Sequence, residues 1–433
     1  MNGSAATLFI PVLSENRWTR SARLLLIVLL MAAPLAFGSV EPWAWAALIV
    51  CTFLTTLLWT AGCVTARQLS VSWTPLYFPL LLLLLVIVVQ RIWNVTFDPI
   101  SARESGVKFL AYVILFFLSR ELFGRASQRA WSGLGLAVTI YVFAVALFAT
   151  IQFFSSPGLL YWTKRPLWGG TVFGPYVNHN HYAGLMEILI PLALGYVISM
   201  PRGSAQPVLV FAVLVPIASV LLSGSRGGMI SLVGEFAIFT IVLLRRNANY
   251  RRGRAAIVTG LGFSAAILLF LWLDPGDVTK RLEQTVTSPE LSVGDRKQFT
   301  ADSINMFRDY PLLGLGVGSF EAAYPVYQSF SSDRTVDHAH NDYVEALAET
   351  GVIGCFLVLS AVALFLRSVF FEGQRSRLDA YWIGIGAAVA CCGLLIHSFS
   401  DFNLHIPSNA AWFAFAAGIA TSSRRNDQSL SLK

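Results

Sequence analysis

The chain has 433 residues, of which 55% are hydrophobic and only 13% charged, with a formal net charge of +7. Soluble domains carry about 25% charged residues, so this composition excludes an ordinary soluble enzyme and points to a polytopic membrane protein. The positive charge makes no case for nucleic acid, because most Arg residues lie in short loops beside apolar runs, where they set orientation across the bilayer.

In chain order, the stretches predicted to span the bilayer are 22–38, 42–60, 75–92, 107–119, 131–154, 181–199, 206–223, 228–244, 255–273, 344–366, 379–398 and 407–421. Many approach the roughly 20 apolar residues with which a helix crosses a hydrocarbon core of about 30 Å. The expected fold class is therefore an all-α integral membrane protein of about 12 transmembrane helices. Nine fall in 1–273, an outer loop fills 274–343, three more fall in 344–421, and a short inner tail follows at 422–433. The first stretch follows Arg17, Arg20 and Arg23, as the core of a signal peptide would. The next stretch starts within a few residues, so an uncleaved first helix is expected. Cys51, Cys63, Cys355, Cys391 and Cys392 all sit in or at the end of apolar stretches, which implies no disulfide framework.

Lys and Arg are more numerous on the side of the N-terminus, above all in the run from Arg245 to Arg254, so both chain ends are expected inside. On that topology the sixth, eighth, tenth and twelfth spans start at the outer face, and a polar cluster stands before each. Asn178-His179-Asn180-His181 opens the sixth and Ser223-Gly224-Ser225-Arg226-Gly227-Gly228 the eighth. His338 to Asp342 opens the tenth and Asp401 to His405 the twelfth. Free N–H groups and the positive end of the helix dipole suit such positions to an anion.

Within the outer loop, 277–284 is polar and predicted helical. Arg296 to Phe307 place Phe299, Ser303, Met306 and Phe307 on one helical face, with Asp295 as N-cap. This predicts an amphipathic helix lying at the interface, with Arg296 in its first turn. Pro311 and the alternation Gly314, Gly316, Gly318 then break the helix. Ser319 and the lack of a βαβ context rule out a dinucleotide fingerprint there.

Several residues offer chemistry. Arg226, set between Gly224 and Gly227-Gly228, either snorkels to headgroups or forks onto a phosphate that the glycines let approach. His340 has three readings: a general base for a hydroxyl, a metal ligand with His338, Asp337 and Asp342, or a structural histidine at a helix cap. Glu187 and Glu235 fall inside spans, where a carboxylate faces a cavity, a proton path or a partner helix. Tyr161, Trp162 and Trp168, near Lys164 and Arg165, form an interfacial belt or a platform for sugar rings.

The pattern His340-Asn341, nine residues, then Gly351-Val352-Ile353-Gly354 resembles the signature of the O-antigen ligase superfamily, which includes O-antigen polymerases and some protein glycosyltransferases. Asn180-His181 with Pro191, Ser225-Arg226-Gly227, Gly294-Asp295-Arg296, Pro311 to Gly316, and His397 to Pro407 resemble its other blocks, so the likeness runs from about 165 to 421. It implies a GT-C-type glycosyltransferase of the bacterial inner (plasma) membrane, with cytoplasmic termini and a periplasmic site and loop. A glycan would pass from an undecaprenyl pyrophosphate carrier to an acceptor hydroxyl, with no nucleotide sugar, ATP, cofactor or required metal. The implied partners are that lipid-linked donor, a lipid A–core or other glycan acceptor, and membrane lipids.

On this resemblance His340 activates the acceptor, while Arg226 and Arg296 hold the departing pyrophosphate. Asn180, His181, Arg165, His338 and Asn341 are expected to contact substrate, and His338 is a second candidate base. Ligation of O-antigen to lipid A–core is the leading expectation. The alternatives are an O-antigen or exopolysaccharide polymerase and, from another class, a transporter or flippase of lipid-linked glycan.

Overall fold

Asn16, Asp98, Ser127, Asn178 and Asn341 each turn a side-chain oxygen onto free N–H groups of the turn that follows, and the runs behind them are helical. The computed structural model describes residues 16–156, 158–166, 170–200, 205–245, 260, 293–331, 335–371, 378–422 and 429–431. In chain order its helices are α1 (Arg17–Leu35), α2 (Pro42–Thr65), α3 (Tyr77–Ile92), α4 (Pro99–Gly124), α5 (Gln128–Ser155), α6 (His179–Ser199) and α7 (Gln206–Ser223). They continue with α8 (Arg226–Arg245), α9 (Val293–Asp309), α10 (Phe320–Tyr327), α11 (Asp342–Phe370), α12 (Leu378–His397) and α13 (Pro407–Ser422). Ser70–Ser72 pairs antiparallel with Ser429–Ser431 in a three-residue ladder, and isolated bridges join Leu160 to Lys164 and Phe173 to Tyr176.

Eight of these helices are long and apolar enough to cross a membrane: α1, α2, α5, α6, α7, α8, α11 and the Ala380–His397 part of α12. The shorter α3, together with α4 and α13, covers the predicted spans 75–92, 107–119 and 407–421. The predicted span 255–273, but for Gly260, and the helix expected at 277–284 lie outside the described residues.

Burial separates inner from outer helices. The apolar windows of α6 and α12 are 94% and 83% buried, those of α2 and α11 only 28% and 22%. Glycine makes the inner pair possible. A Cβ on Gly195 would stand 2.3 Å from the Trp382 carbonyl oxygen, and one on Gly386 2.1 Å from that of Pro191. Such backbone contact through small residues is how apolar helices associate inside lipid, where burial from water offers no incentive.

Helix α11 kinks at Gly351, whose φ of 62° and ψ of −166° only glycine adopts freely. The loop after α9 fills the break. Leu315 and Gly316 donate to the carbonyls of Ala348 and Glu349 at 3.0 and 3.1 Å, and Val352 donates to that of Pro311 at 2.9 Å. The Gly351 part of the signature and the Pro311 to Gly316 block are thus two sides of one backbone joint.

Helix α9 starts at Val293, two residues before the expected cap, so Asp295 lies inside its first turn. Its apolar face does not lie bare at an interface. Phe299 and Met306 pack with Phe320, Ala323 and Tyr324 of α10 and with Ala339 and Ala348, forming a small core over the start of α11.

Candidate active site

Phe402, on the turn between α12 and α13, is the centre of an imidazole cluster. His338 stacks on its ring with centroids 4.2 Å apart, while His181 and His340 meet it edge-on at 4.8 and 4.9 Å. His181 comes from the first turn of α6, and the other two from the strap before α11. The predicted outer clusters of α6, α11 and α13 therefore meet at one end of the bundle.

His340 has φ of +50°, a left-handed conformation uncommon for a residue with a Cβ. Phe299 of α9 stacks on its other face at 6.0 Å. Its Nδ1 stands 3.3 Å from Oδ1 of Asp401, which is fully buried. Burial alone would favour the neutral acid. The hydrogen bond from His340, and the imidazoles of His181, His340 and His397, instead hold Asp401 well below the usual carboxylate range. With Nδ1–H donated to Asp401, His340 is left with an Nε2 lone pair for a substrate proton.

A second carboxylate cluster adjoins the first. Glu345 accepts at Oε1 from His338 Nδ1 (2.7 Å) and at Oε2 from the Ala339 N–H (2.8 Å), and its Oε1 lies 3.3 Å from His405 Nε2 as an ion-pair contact. His405 Nδ1 donates to Asp342 at 2.9 Å, and the other Asp342 oxygen accepts from Ser398 Oγ at 2.6 Å. A carboxylate beside each ring nitrogen favours the imidazolium form of His405. Burial opposes that charge, but Glu345 and Asp342 outweigh it and raise His405 to about 10. His338 is also raised against the effect of its burial, chiefly by Glu345. One ligand atom each from His338, Glu345 and His405 lies within 4.8 Å of the others, close enough to hold a cation in place of these protons. As they stand, the three form an ion-paired triad.

The arginines stand at helix heads. α8 begins at Arg226, which is exposed there, and Ser225 Oγ accepts from the Gly228 N–H at 3.1 Å. A Cβ on Gly227 would lie 2.5 Å from the His397 ring and 2.6 Å from Ser400 Oγ. The head of α8 is therefore pressed onto the end of α12, one turn before Asp401. Arg296 lies one turn before Phe299 on α9, the residue that stacks on His340, and its Nε is buried with no hydrogen-bond partner.

The other expected contacts divide. Buried His181 also has an unpartnered Nε2, and half-buried Asn180 stands beside it. The Asn341 amide oxygen is engaged as the α11 cap, accepting from Tyr343 and Val344 at 3.1 and 3.2 Å. Arg165 is exposed on the loop after α5, which is anchored elsewhere through Tyr161 on the Leu35 carbonyl and Lys164 over Phe37. Among the described residues no hydrogen bond or ion pair ties Arg165 to the imidazoles.

Behind His338 and His405 opens a cavity of about 500 Å³. Glu104, Lys108, Asp337 and Glu345 are among its polar lining, and Tyr112, Phe116, Phe365 and Phe413 among its aromatic lining from α4, α11 and α13. It is polar at one end and apolar along the spans. The sequence marks Asp401 and His405 as a polar cluster but assigns them no partner. Glu345 carries no signal beyond its place one turn after an N-cap.

Residues 211–359 match the family model described as O-antigen ligase. With the signature at His340, this supports a place for the chain in the O-antigen ligase and polymerase superfamily of membrane glycosyltransferases. No curated protein matches. Among solved structures, one chain from a structure titled "Structural coordination of polymerization and crosslinking by a peptidoglycan synthase complex" is similar at 14% identity, covering 81% of this chain and 98% of its own, with a TM-score of 0.42.

Proposed function

We propose, from that place in the superfamily, that the chain moves a glycan from an undecaprenyl pyrophosphate carrier to an acceptor hydroxyl at the periplasmic face of the bacterial inner membrane. The observation that carries this reading is the His340–Asp401 pair, at 3.3 Å, beside the heads of α8 and α9 and next to a cavity that turns from polar to apolar. His340 Nε2 takes the hydroxyl proton, and Asp401 orients the ring and steadies its charge. The acceptor oxygen bonds to the anomeric carbon as the bond from that carbon to the phosphate oxygen breaks. The electron pair leaves with the diphosphate, where Arg226 and Arg296 meet the growing negative charge. The cavity receives the lipid end of a substrate. No cofactor or metal enters the scheme.

Both termini lie in the cytoplasm on this reading, 274–343 forms the periplasmic loop, and 1–273 and 344–421 carry the spans. Ligation to lipid A–core is the leading activity, and polymerisation of lipid-linked repeats is the alternative within the superfamily. Glu187, which with Glu235 and the basic residues at the outer mouth motivates the transport reading, lies 2.8 Å from His397.

The test is transfer by the purified protein with lipid-linked glycan and acceptor. His340→Ala is expected to lower turnover about 10²-fold or more, with the melting temperature retained and wild-type turnover unchanged in EDTA. Wild-type turnover by His340→Ala would sink the assignment of the base. Labelled donor that crosses a proteoliposome membrane with its linkage intact would favour transport.

A further inference from the structure

The triad of His338, Glu345 and His405 takes no part in the scheme above. Its members come from three places: the strap before α11, the first turn of α11 and the turn before α13. One ligand atom from each lies within 4.8 Å of the other two. A tetrahedral zinc ion with bonds of about 2.0–2.1 Å sets its donor atoms about 3.3 Å apart. His405 Nε2 and Glu345 Oε1 already stand 3.3 Å apart. His338 Nδ1, 2.7 Å from the same oxygen, has to move out by about 0.6 Å.

The groups behind the triad fit a ligand set as well. A histidine on a metal usually donates its other N–H to a carboxylate, which fixes the ring and its tautomer. His405 has that carboxylate: its Nδ1 is 2.9 Å from Asp342 Oδ1, and Asp342 Oδ2 is held in turn by Ser398 Oγ at 2.6 Å. Glu345 Oε2 is held by the Ala339 N–H at 2.8 Å, which leaves Oε1 to face both imidazoles. The His338 ring is fixed by its stack on Phe402, with centroids 4.2 Å apart. Charge favours a cation: Asp337 acts on His338 and Glu349 on His405, while Lys108, on the same cavity, is 4.0 Å from Glu104. All three members of the triad line that cavity, so an ion has room for a water as its fourth ligand.

We propose that His338, Glu345 and His405 form a binding site for a divalent transition-metal ion of the zinc type, with Asp342 holding His405 in place and the fourth position open to the cavity. Two imidazoles and one carboxylate select such an ion over magnesium or calcium, which take oxygen ligands. As the ion enters, the protons that the ring nitrogens hold toward Glu345 pass to solvent. The ion then clips the strap, the head of α11 and the turn before α13 to one another. It stands outside the transfer scheme, so the site is tested without reference to transfer.

Zinc chloride is titrated calorimetrically into full-length protein in detergent, prepared without a histidine tag and stripped with EDTA. A single strong site is expected, with no matching heat from magnesium, and zinc should raise the melting temperature. His405→Gln is expected to weaken zinc binding roughly 100-fold or more and Asp342→Asn roughly 10-fold or more. His340→Ala, which removes an imidazole outside the triad, should leave it unchanged. A folded His405→Gln protein with wild-type zinc affinity overturns the proposal, and so does wild-type protein that binds zinc no better than magnesium. Should His405→Gln fail to fold, the visible spectrum of the wild-type protein loaded with cobalt decides. The strong bands of a four-coordinate ion are expected, and the weak bands of a six-coordinate ion overturn the site.

Discussion

His405 shows how single residues here are defined by partners far along the chain. Its two ring nitrogens reach Asp342 and Glu345 at 2.9 and 3.3 Å, and their charges raise it to about 10. The sign of the linkage follows. A folded-state value above the unfolded one stabilises fully below the ordinary histidine value of about 6.5. The contribution shrinks as the unfolded chain loses its proton and is gone once the pH passes about 10. The melting temperature in detergent is therefore expected to fall between pH 7 and 10, and His405→Gln should flatten that fall. A variant with the wild-type slope would show that the triad does not couple to folding. None of this is visible in the sequence, where 63 positions separate His405 from Asp342 and 61 separate His340 from Asp401. The motif-bearing residues His340, Arg226 and Arg296 are legible there, but the pairing of His340 with Asp401 and of His405 with Asp342 and Glu345 is not.

At the scale of elements, the joint in α11 is where a sequence motif has a mechanical reason. Gly351 combines φ of 62° with ψ of −166°, and a Cβ there would stand 2.4 Å from the Leu312 carbonyl oxygen. Both strain and collision with backbone oppose any side chain. Gly351→Ala is expected to destabilise by at least about 2 kcal/mol. Gly133→Ala is the control, because a Cβ there meets nothing within 4 Å and alanine favours a helix by roughly 0.5–1 kcal/mol. Thermal unfolding of both variants checks the contrast, and equal melting temperatures would mean that the joint can relax. Span positions were legible because lipid demands long apolar runs. α4 shows the limit of that signal: the apolar stretch 107–119 becomes the helix Pro99–Gly124. Its first turns carry Arg103, Glu104 and Lys108, the last two 4.0 Å apart at the cavity mouth. Hydropathy registers where hydrocarbon ends, not where a helix does.

For the whole molecule, the arrangement of α4, α11 and α13 leaves a cavity of about 500 Å³ between them, beside the triad and running along the spans. Ala361, Ala414 and Ala417 line its depth, so small side chains keep it open. If its occupant is the hydrocarbon of a lipid-linked substrate, filling that depth should act on affinity and leave the proton chemistry at His340 alone. Each methylene shut out costs about 0.8 kcal/mol. Ala414→Phe, excluding two or three of them, should therefore raise KM for the full-length carrier roughly 10- to 50-fold with little change in kcat. A donor whose prenyl chain is too short to reach α13 supplies the contrast, since its KM should be nearly unaffected. Equal losses on both donors would mean that the substitution distorts the site itself, and that the lipid lies against some other face of the bundle.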